Sequence, residues 1–357
     1  MARLARVEVL APDEIAIVHV LNRTVRRCFL LGNDPVTGKN FDHRKQWMES
    51  ELVHLAKFFG IDLLCYAILS NHFHLVLRSR PDVVAAWDDT EVARRWLMLC
   101  PKRKNDAKQP QAPNEYELGM IRNDPVRLKE IRSRLSDISW WMRLLSQKIG
   151  TRANDDDQEI GKFWQARYRA VRLLDETAIL ACAAYVDLNP IRAAMAETIE
   201  ASDYTSAQQR ALALQLDLKA PSELASETVV VTKAIAQSLS PLTIDELKDE
   251  IGACCHTSGL RASDKGFLPM SAASYLELLD WTARQMRSDK RGSTPESAAP
   301  IFARLGIDAN IWCELTQDFG RLFGTVAGKP KVIESTRSRT RHQRYKIRNR
   351  AKELLTS

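Results

Sequence analysis

His72-Phe73-His74 sets two imidazoles on either side of a bulky apolar residue, directly after the turn-forming pair Ser70-Asn71. The preceding run, Ile61 to Leu69, has the composition of a buried strand. In an extended segment residues two apart point to the same side of the sheet. His72 and His74 therefore share one face, while Phe73, Leu75 and Leu77 can anchor the other in a core. Two parallel imidazoles on a rigid strand form half of a divalent-metal site. In a chain with seven histidines the pair alone is not specific, and histidines satisfied by neighbours within a half-buried sheet are the plainer alternative.

A second constellation lies between Asp175 and Asn189. Acidic residues open it, strong helix formers fill it, and Pro190 follows where a helix tends to stop. Tyr185 and Asn189 are four apart and project from one helix face, which also carries Ala178, Ala181 and Cys182. Helical side chains lean back over the preceding turn, so these small residues are expected to leave room in front of Tyr185. A tyrosine hydroxyl beside an amide oxygen supplies a nucleophile next to a third metal ligand. The alternative is a tyrosine packed between helix and sheet, with Asn189 capping the helix end.

Taken together, the two constellations resemble the single-tyrosine HUH transposases, in particular the REP-associated tyrosine transposase branch. The resemblance is carried, in the family's order, by His19-Val20-Leu21-Asn22-Arg23, Tyr66 to His74, Gly161-Lys162-Phe163-Trp164-Gln165-Ala166-Arg167-Tyr168, and Ala184 to Ala193. It covers residues 15–80 and 135–200. A long insert between strand and helix, and about 150 further C-terminal residues, depart from the compact members and resemble a longer subgroup.

The resemblance implies a metal-dependent strand-transferase that cuts and rejoins single-stranded or hairpin DNA. Tyr185 would be the nucleophile, joined to a 5′ phosphate while a 3′ hydroxyl is freed. His72, His74 and the Asn189 side-chain oxygen would hold a divalent metal ion, Mg²⁺ or Mn²⁺. The chemistry fits these residue types: a covalent nucleophile splits one hard displacement into two easier ones, and a divalent cation polarises and orients the phosphoryl group. Two imidazoles and an amide suit Mn²⁺ better by ligand softness, whereas Mg²⁺ is more available. Arg23, Arg26 and Arg27 after the first strand, with Arg167 and Arg192, are expected to contact DNA. Tyr66 reads as core, and Tyr168 as a DNA-facing or packing residue in an aromatic and basic cluster. Two alternatives remain: a domesticated DNA-binding or repeat-processing protein on the same fold, and a relaxase- or replication-initiator-like nickase. The second usually carries helicase or mobilisation regions, and no P-loop is present. Monomer and homodimer both stay open.

The elements that must position these residues read as α+β. An antiparallel sheet backed by helices, a ferredoxin-like HUH nuclease core, is expected within residues 1–200, with a helical insert at about 81–135. A helical accessory domain follows over 201–328, with apolar faces on Ser271–Arg287 and Asn310–Phe323. A basic tail occupies 329–357. Asn154-Asp155-Asp156-Asp157 reads as a solvent loop, since it lacks the glycine and terminal glutamate of a calcium loop.

Composition agrees with a nucleic-acid partner. There are 52 Lys+Arg against 45 Asp+Glu, and ten basic but only two acidic residues fall between Lys329 and Glu353. That tail either runs along DNA phosphates or is a solvated terminus. No apolar stretch is long enough to cross a membrane and no secretory segment opens the chain, so a cytoplasmic protein is expected. The seven cysteines form no Cys-x-x-Cys pair and read as reduced core residues rather than disulfides or a zinc site.

Overall fold

Alternating and continuous apolar runs give the sheet its strands, β1 (Ile17–Arg23), β2 (Ile61–Ile68), β3 (His72–Ser79) and β4 (Arg169–Leu173). The computed structural model describes residues 13–106, 109–217, 227–244, 259–286, 298–339 and 345–356. Cys254, Cys255, the loop at 290–295, Arg341 and Arg344 lie outside them. The strand order is β2-β3-β1-β4, all antiparallel, and a two-residue strand β5 (Val326–Ala327) pairs parallel to β4. The sheet is thus mixed rather than wholly antiparallel. Its extra strand comes from the C-terminal region, a pairing too short to leave a hydrophobic pattern.

β1 pairs with β3 so that Leu21 faces His74 and Arg23 faces His72. Directly opposed residues share a sheet face. One face therefore carries His19, Leu21, Arg23, His72, His74 and Arg169, and the other carries Val18, Val20, Asn22 and Phe73.

The second face is covered by α1 (His43–Phe58), four insert helices α2 (Pro81–Ala86), α3 (Asp89–Leu99), α4 (Glu115–Arg122) and α5 (Pro125–Leu135), and the long α6 (Ile138–Asp157). Each insert helix begins on a local signal: α5 has Asp124 capping Val126 and Arg127 with Pro125 in its first turn, and α4 has a capping box from Asn114 and Glu117. The aspartate cluster expected in a solvent loop is instead the last turn of α6, where Asp156 and Asp157 receive the fully buried Arg44 of α1. A buried guanidinium without a carboxylate would be costly, so the cluster clamps α1 to α6.

The first face is covered by α7 (Glu176–Asp187), a short α8 (Asn189–Arg192), α9 (Ser206–Asp217), α11 (Ala272–Gln285), α12 (Ala298–Leu305), α13 (Ala309–Leu322) and α15 (Asn349–Thr356), with α10 (Glu227–Ser238) beside α9 and α1. One continuous core joins Leu64, Val76 and Val171 of the sheet to Trp281, Trp312, Phe319 and Leu354. The region after residue 201 therefore shares its core with the sheet. Residues 330–339 form α14 (Pro330–Arg339), and α15 buries Ala351, Leu354 and Leu355 while Arg350 pairs with Glu314 of α13. The described part of the basic tail is folded onto the protein, because its apolar residues recur at helical spacing between the charges. Gly328 permits the turn into α14: its φ is +156°, and a Cβ there would lie 2.9 Å from Asp175 Oδ2.

A buried acid on the opposite side gives a stability test. Glu49 accepts a hydrogen bond from the Tyr66 hydroxyl at 2.6 Å, and burial pushes its carboxyl up to about 7 from 4.5. A value raised on folding contributes stability that is full below about pH 4.5 and is lost as pH rises through 7. Glu49→Gln keeps the acceptor without the charge. It should raise unfolding free energy by roughly 3 kcal/mol at pH 8 and leave it unchanged near pH 4, read by urea unfolding at the two pH values.

Candidate active site

Asp175 caps α7 by accepting from the Ala178 amide at 2.9 Å, and the far end is fixed by a buried carboxylate. Asp187 accepts from Ser206 Oγ, from the Tyr275 hydroxyl at 2.7 Å and from the Ala207 amide at 3.1 Å. These bonds pin the turn of helix that carries Tyr185 and leads into Asn189. Ala178, Ala181 and Cys182 are buried against the sheet. The space they were expected to leave before Tyr185 is filled by the close approach of helix and sheet.

Tyr185 itself is half-buried beside the histidines. Its ring meets His74 edge-on with centroids 5.5 Å apart and His19 at 5.9 Å, while His72 and His74 are 5.1 Å apart. His72 and His74 thus share a face, and the helix brings Tyr185 onto it. His72 Nδ1 lies 2.6 Å from Asn71 Oδ1, and His74 Nδ1 lies 2.8 Å from His19 Nε2. The Nε2 atom of each metal-candidate histidine is left over. His74 Nε2 and the Asn189 side-chain nitrogen Nδ2 are buried with no hydrogen-bond partner among the described residues.

His19 is the residue that sequence reasoning missed. It opens the first stretch of the resemblance, with no role attached to it. The signal was there: period-two alternation along β1 puts His19 on the face of Leu21 and Arg23, and its ring stacks on His74 at 5.1 Å, nearly parallel. Burial lowers His19 to about 3, with Arg169 and Arg192 adding to the shift. Burial likewise lowers His72 to about 4, helped by Arg23, Arg192 and Arg27, and holds His74 well below its ordinary value. All three rings are neutral at neutral pH.

Arg192 lies 3.9 Å above the Tyr185 ring and donates to the Gln317 carbonyl at 2.8 Å. A cavity of about 410 Å³ opens beside Tyr185, lined by His19 and four arginines, Arg23, Arg169, Arg192 and Arg321, with Asp318 as its one carboxylate. Such a cavity favours anions. Asp318 marks a kink in α13, and the next turn brings Gly320 so close that a Cβ would sit 3.0 Å from the Tyr185 hydroxyl.

Among the expected DNA contacts, Arg23 and Arg192 line this cavity, and Arg27 is near enough to act on His72. Arg26 is exposed outside it, and Arg167 lines a different cavity on the other sheet face. Arg26 and Arg27 both have left-handed backbones, φ 52° and 61°, which is uncommon for side chains of this kind. Tyr66 is core, and Tyr168 is buried beneath the second cavity.

Among the described residues no group of three or more His, Cys, Asp or Glu side chains could hold a metal. The set at hand is two imidazoles and an amide: the unpartnered His74 Nε2 fits a cation that takes neutral nitrogen, whereas the unpartnered Asn189 atom is its Nδ2, and the amide would have to turn its oxygen there to serve as a ligand. No helix among the described residues is long and apolar enough to cross a membrane. Among the described residues Cys28, Cys65, Cys100, Cys182 and Cys313 form no disulfide.

No family model matches the sequence, and no curated protein matches it. A solved structure of a REP-associated tyrosine transposase bound to a REP hairpin aligns with 56% of this chain and 81% of that one, at 9% identity and a TM-score of 0.33. At that level the likeness carries no argument about fold or activity.

Proposed function

We propose that this protein is a metal-dependent enzyme that cleaves and rejoins single-stranded DNA through a covalent bond to Tyr185. The observation that carries the proposal is the meeting of Tyr185, His72 and His74 on one sheet face beside an arginine-lined cavity. The strand order β2-β3-β1-β4 is the one a ferredoxin-like nuclease core would have.

The Tyr185 oxygen would attack phosphorus, forming a 5′-phosphotyrosine as the bond to the 3′ oxygen breaks. The phenol proton leaves to water, and the departing 3′ oxygen takes one from water. The bond energy stays in the phosphotyrosine, so the reverse attack by a 3′ hydroxyl needs no nucleotide cofactor. Arg192, Arg23 and Arg169 would hold the phosphate beside the hydroxyl and offset the charge that builds on its oxygens.

His72, His74 and Asn189 would hold Mg²⁺ or Mn²⁺, which when bound polarises and orients a phosphoryl group. That role requires a lone pair on Nε2 and so a proton on Nδ1. His74 Nδ1–H then donates to His19 Nε2, and His72 Nδ1–H to Asn71 Oδ1. His19 is a suitable acceptor because burial keeps it neutral.

A second reading, DNA binding without cleavage, draws on the close approach of Gly320 to the Tyr185 hydroxyl. Incubation with single-stranded DNA and Mn²⁺ followed by denaturing electrophoresis separates the two: a DNA-linked band supports the enzyme, and binding without any such band supports the other.

The same contact gives a graded prediction. Gly320→Ala forces the hydroxyl or α13 to shift by a few tenths of an ångström. A misplacement of about 1 Å costs roughly 100-fold, so adduct formation should slow by about 10-fold with DNA affinity unchanged, measured by quenched time courses. Wild-type rates in that variant would mean that α13 does not set the position of the nucleophile.

A further inference from the structure

A second cavity, about 640 Å³, lies on the face of the sheet opposite Tyr185. We propose that it binds about one or two unpaired nucleotides of single-stranded DNA, a volume within the usual range for small-ligand sites. This rests on reading the chain as a single-strand DNA protein, but not on the chemistry at Tyr185.

The site is built from aromatic rings and cations. Trp140 and Trp164 are half-buried, Tyr168 forms the floor, and Arg143, Lys162 and Arg167 are exposed around them. None of the lining side chains is acidic, and these three cations form no ion pair among the described residues. Arg143 lies over the Trp140 ring at 4.7 Å, and Trp164 is held by its indole nitrogen donating to the Ser146 carbonyl at 2.8 Å. Rings fixed in place beside free positive charge suit a molecule with flat faces and phosphates. Bases stack on such rings whatever their sequence, and cations follow the backbone.

Its position relative to Tyr185 strengthens the assignment. Asn22 lines this cavity and Arg23 lines the other, so adjacent residues of β1 face the two sites from opposite sides of the strand end. Trp164 packs on Phe73 at 5.3 Å, the residue between His72 and His74. A strand whose phosphate lies among the arginines at Tyr185 has only to pass the end of β1 to place a neighbouring base against Trp164 or Trp140. A duplex cannot follow, because the base must be unstacked and unpaired to enter.

The test uses the full-length protein and a fluorescein-labelled oligothymidylate of about 10 nucleotides, within the site sizes of single-strand grooves. Affinity is read by anisotropy across a salt series. Trp140→Leu should weaken binding about 5- to 100-fold, the range that loss of one stacking platform produces. Arg143→Ala and Arg167→Ala, both on the surface, should each reduce the slope of log affinity against log salt by about 0.7. Wild-type affinity and slope in the three cavity variants would overturn the proposal, as would equal loss on duplex DNA, which would make the cavity a phosphate surface only. Tighter and equally sensitive binding of oligouridylate would assign it to RNA instead and overturn it as stated. If no adduct ever forms at Tyr185 while Trp140→Leu still loses affinity, the cleavage reading fails and this one stands.

Discussion

Tyr185→Phe should abolish the covalent protein–DNA adduct while leaving DNA affinity within about 2-fold of wild type. Only the hydroxyl is removed, and the ring keeps its contacts with His74, Phe319 and Arg192. Removing a covalent nucleophile lowers turnover by roughly 10⁶-fold, far below detection in a gel assay. Binding should survive because the arginines that line the cavity are untouched. An adduct of undiminished yield in Tyr185→Phe would assign the nucleophile elsewhere. Tyr66 is a poor substitute, buried in the core with its hydroxyl committed to Glu49. Tyr168 lies on the other sheet face, beneath the second cavity.

The metal prediction is nearly as large. Chelation with EDTA should stop adduct formation, and added Mn²⁺ or Mg²⁺ should restore it. His72→Ala and His74→Ala should each reduce cleavage by more than about 100-fold, the upper end of what losing a supporting residue costs at a metal site. Asn189→Ala should cost less, about 10-fold, since water can take the place of an amide oxygen. His19→Ala is the informative companion. It touches no ligand atom of the proposed set, yet it strands the His74 Nδ1 proton in a buried site, so cleavage should fall about 10- to 100-fold. Calorimetric titration with Mn²⁺ reads the same ranking without any DNA. Equal cleavage with and without EDTA would remove the metal from the reaction.

The Tyr185 cavity also changes the meaning of the C-terminal half. Gln317, Asp318, Gly320 and Arg321 come from α13 and form one wall. The same helix contributes Trp312, Leu315 and Phe319 to the core under α7. A truncation near residue 200 would therefore expose a large apolar face and open the site at once, rather than release an independent catalytic unit.

The local placement of side chains was legible in the sequence where it depends on short periods. Period two places His72 and His74 on one face, and the apolar stripes of α11 and α13 follow the 3.6 period in the same way, but the helix of Tyr185 ends at Asp187 and Asn189 opens the next one, so the pair does not sit on one continuous helix as its spacing suggested. The sequence could not say that Asn154–Asp157 is a helix end gripping Arg44, since a charge cluster reads alike in a loop and at a clamp. It could not say that small residues on α7 admit the sheet rather than a ligand, because room beside a helix is decided by whatever packs there. It offered His19 without its partner: the contact with His74 spans 55 residues and exists only through the pairing of β1 with β3. It could not place Gly320 against Tyr185, or Asn22 and Arg23 on two separate cavities, since these follow from which helices close over each face. What is repeated within a few residues was set by the chain alone. What joins residues far apart was set by the burial of two sheet faces, and burial is a property of the whole fold.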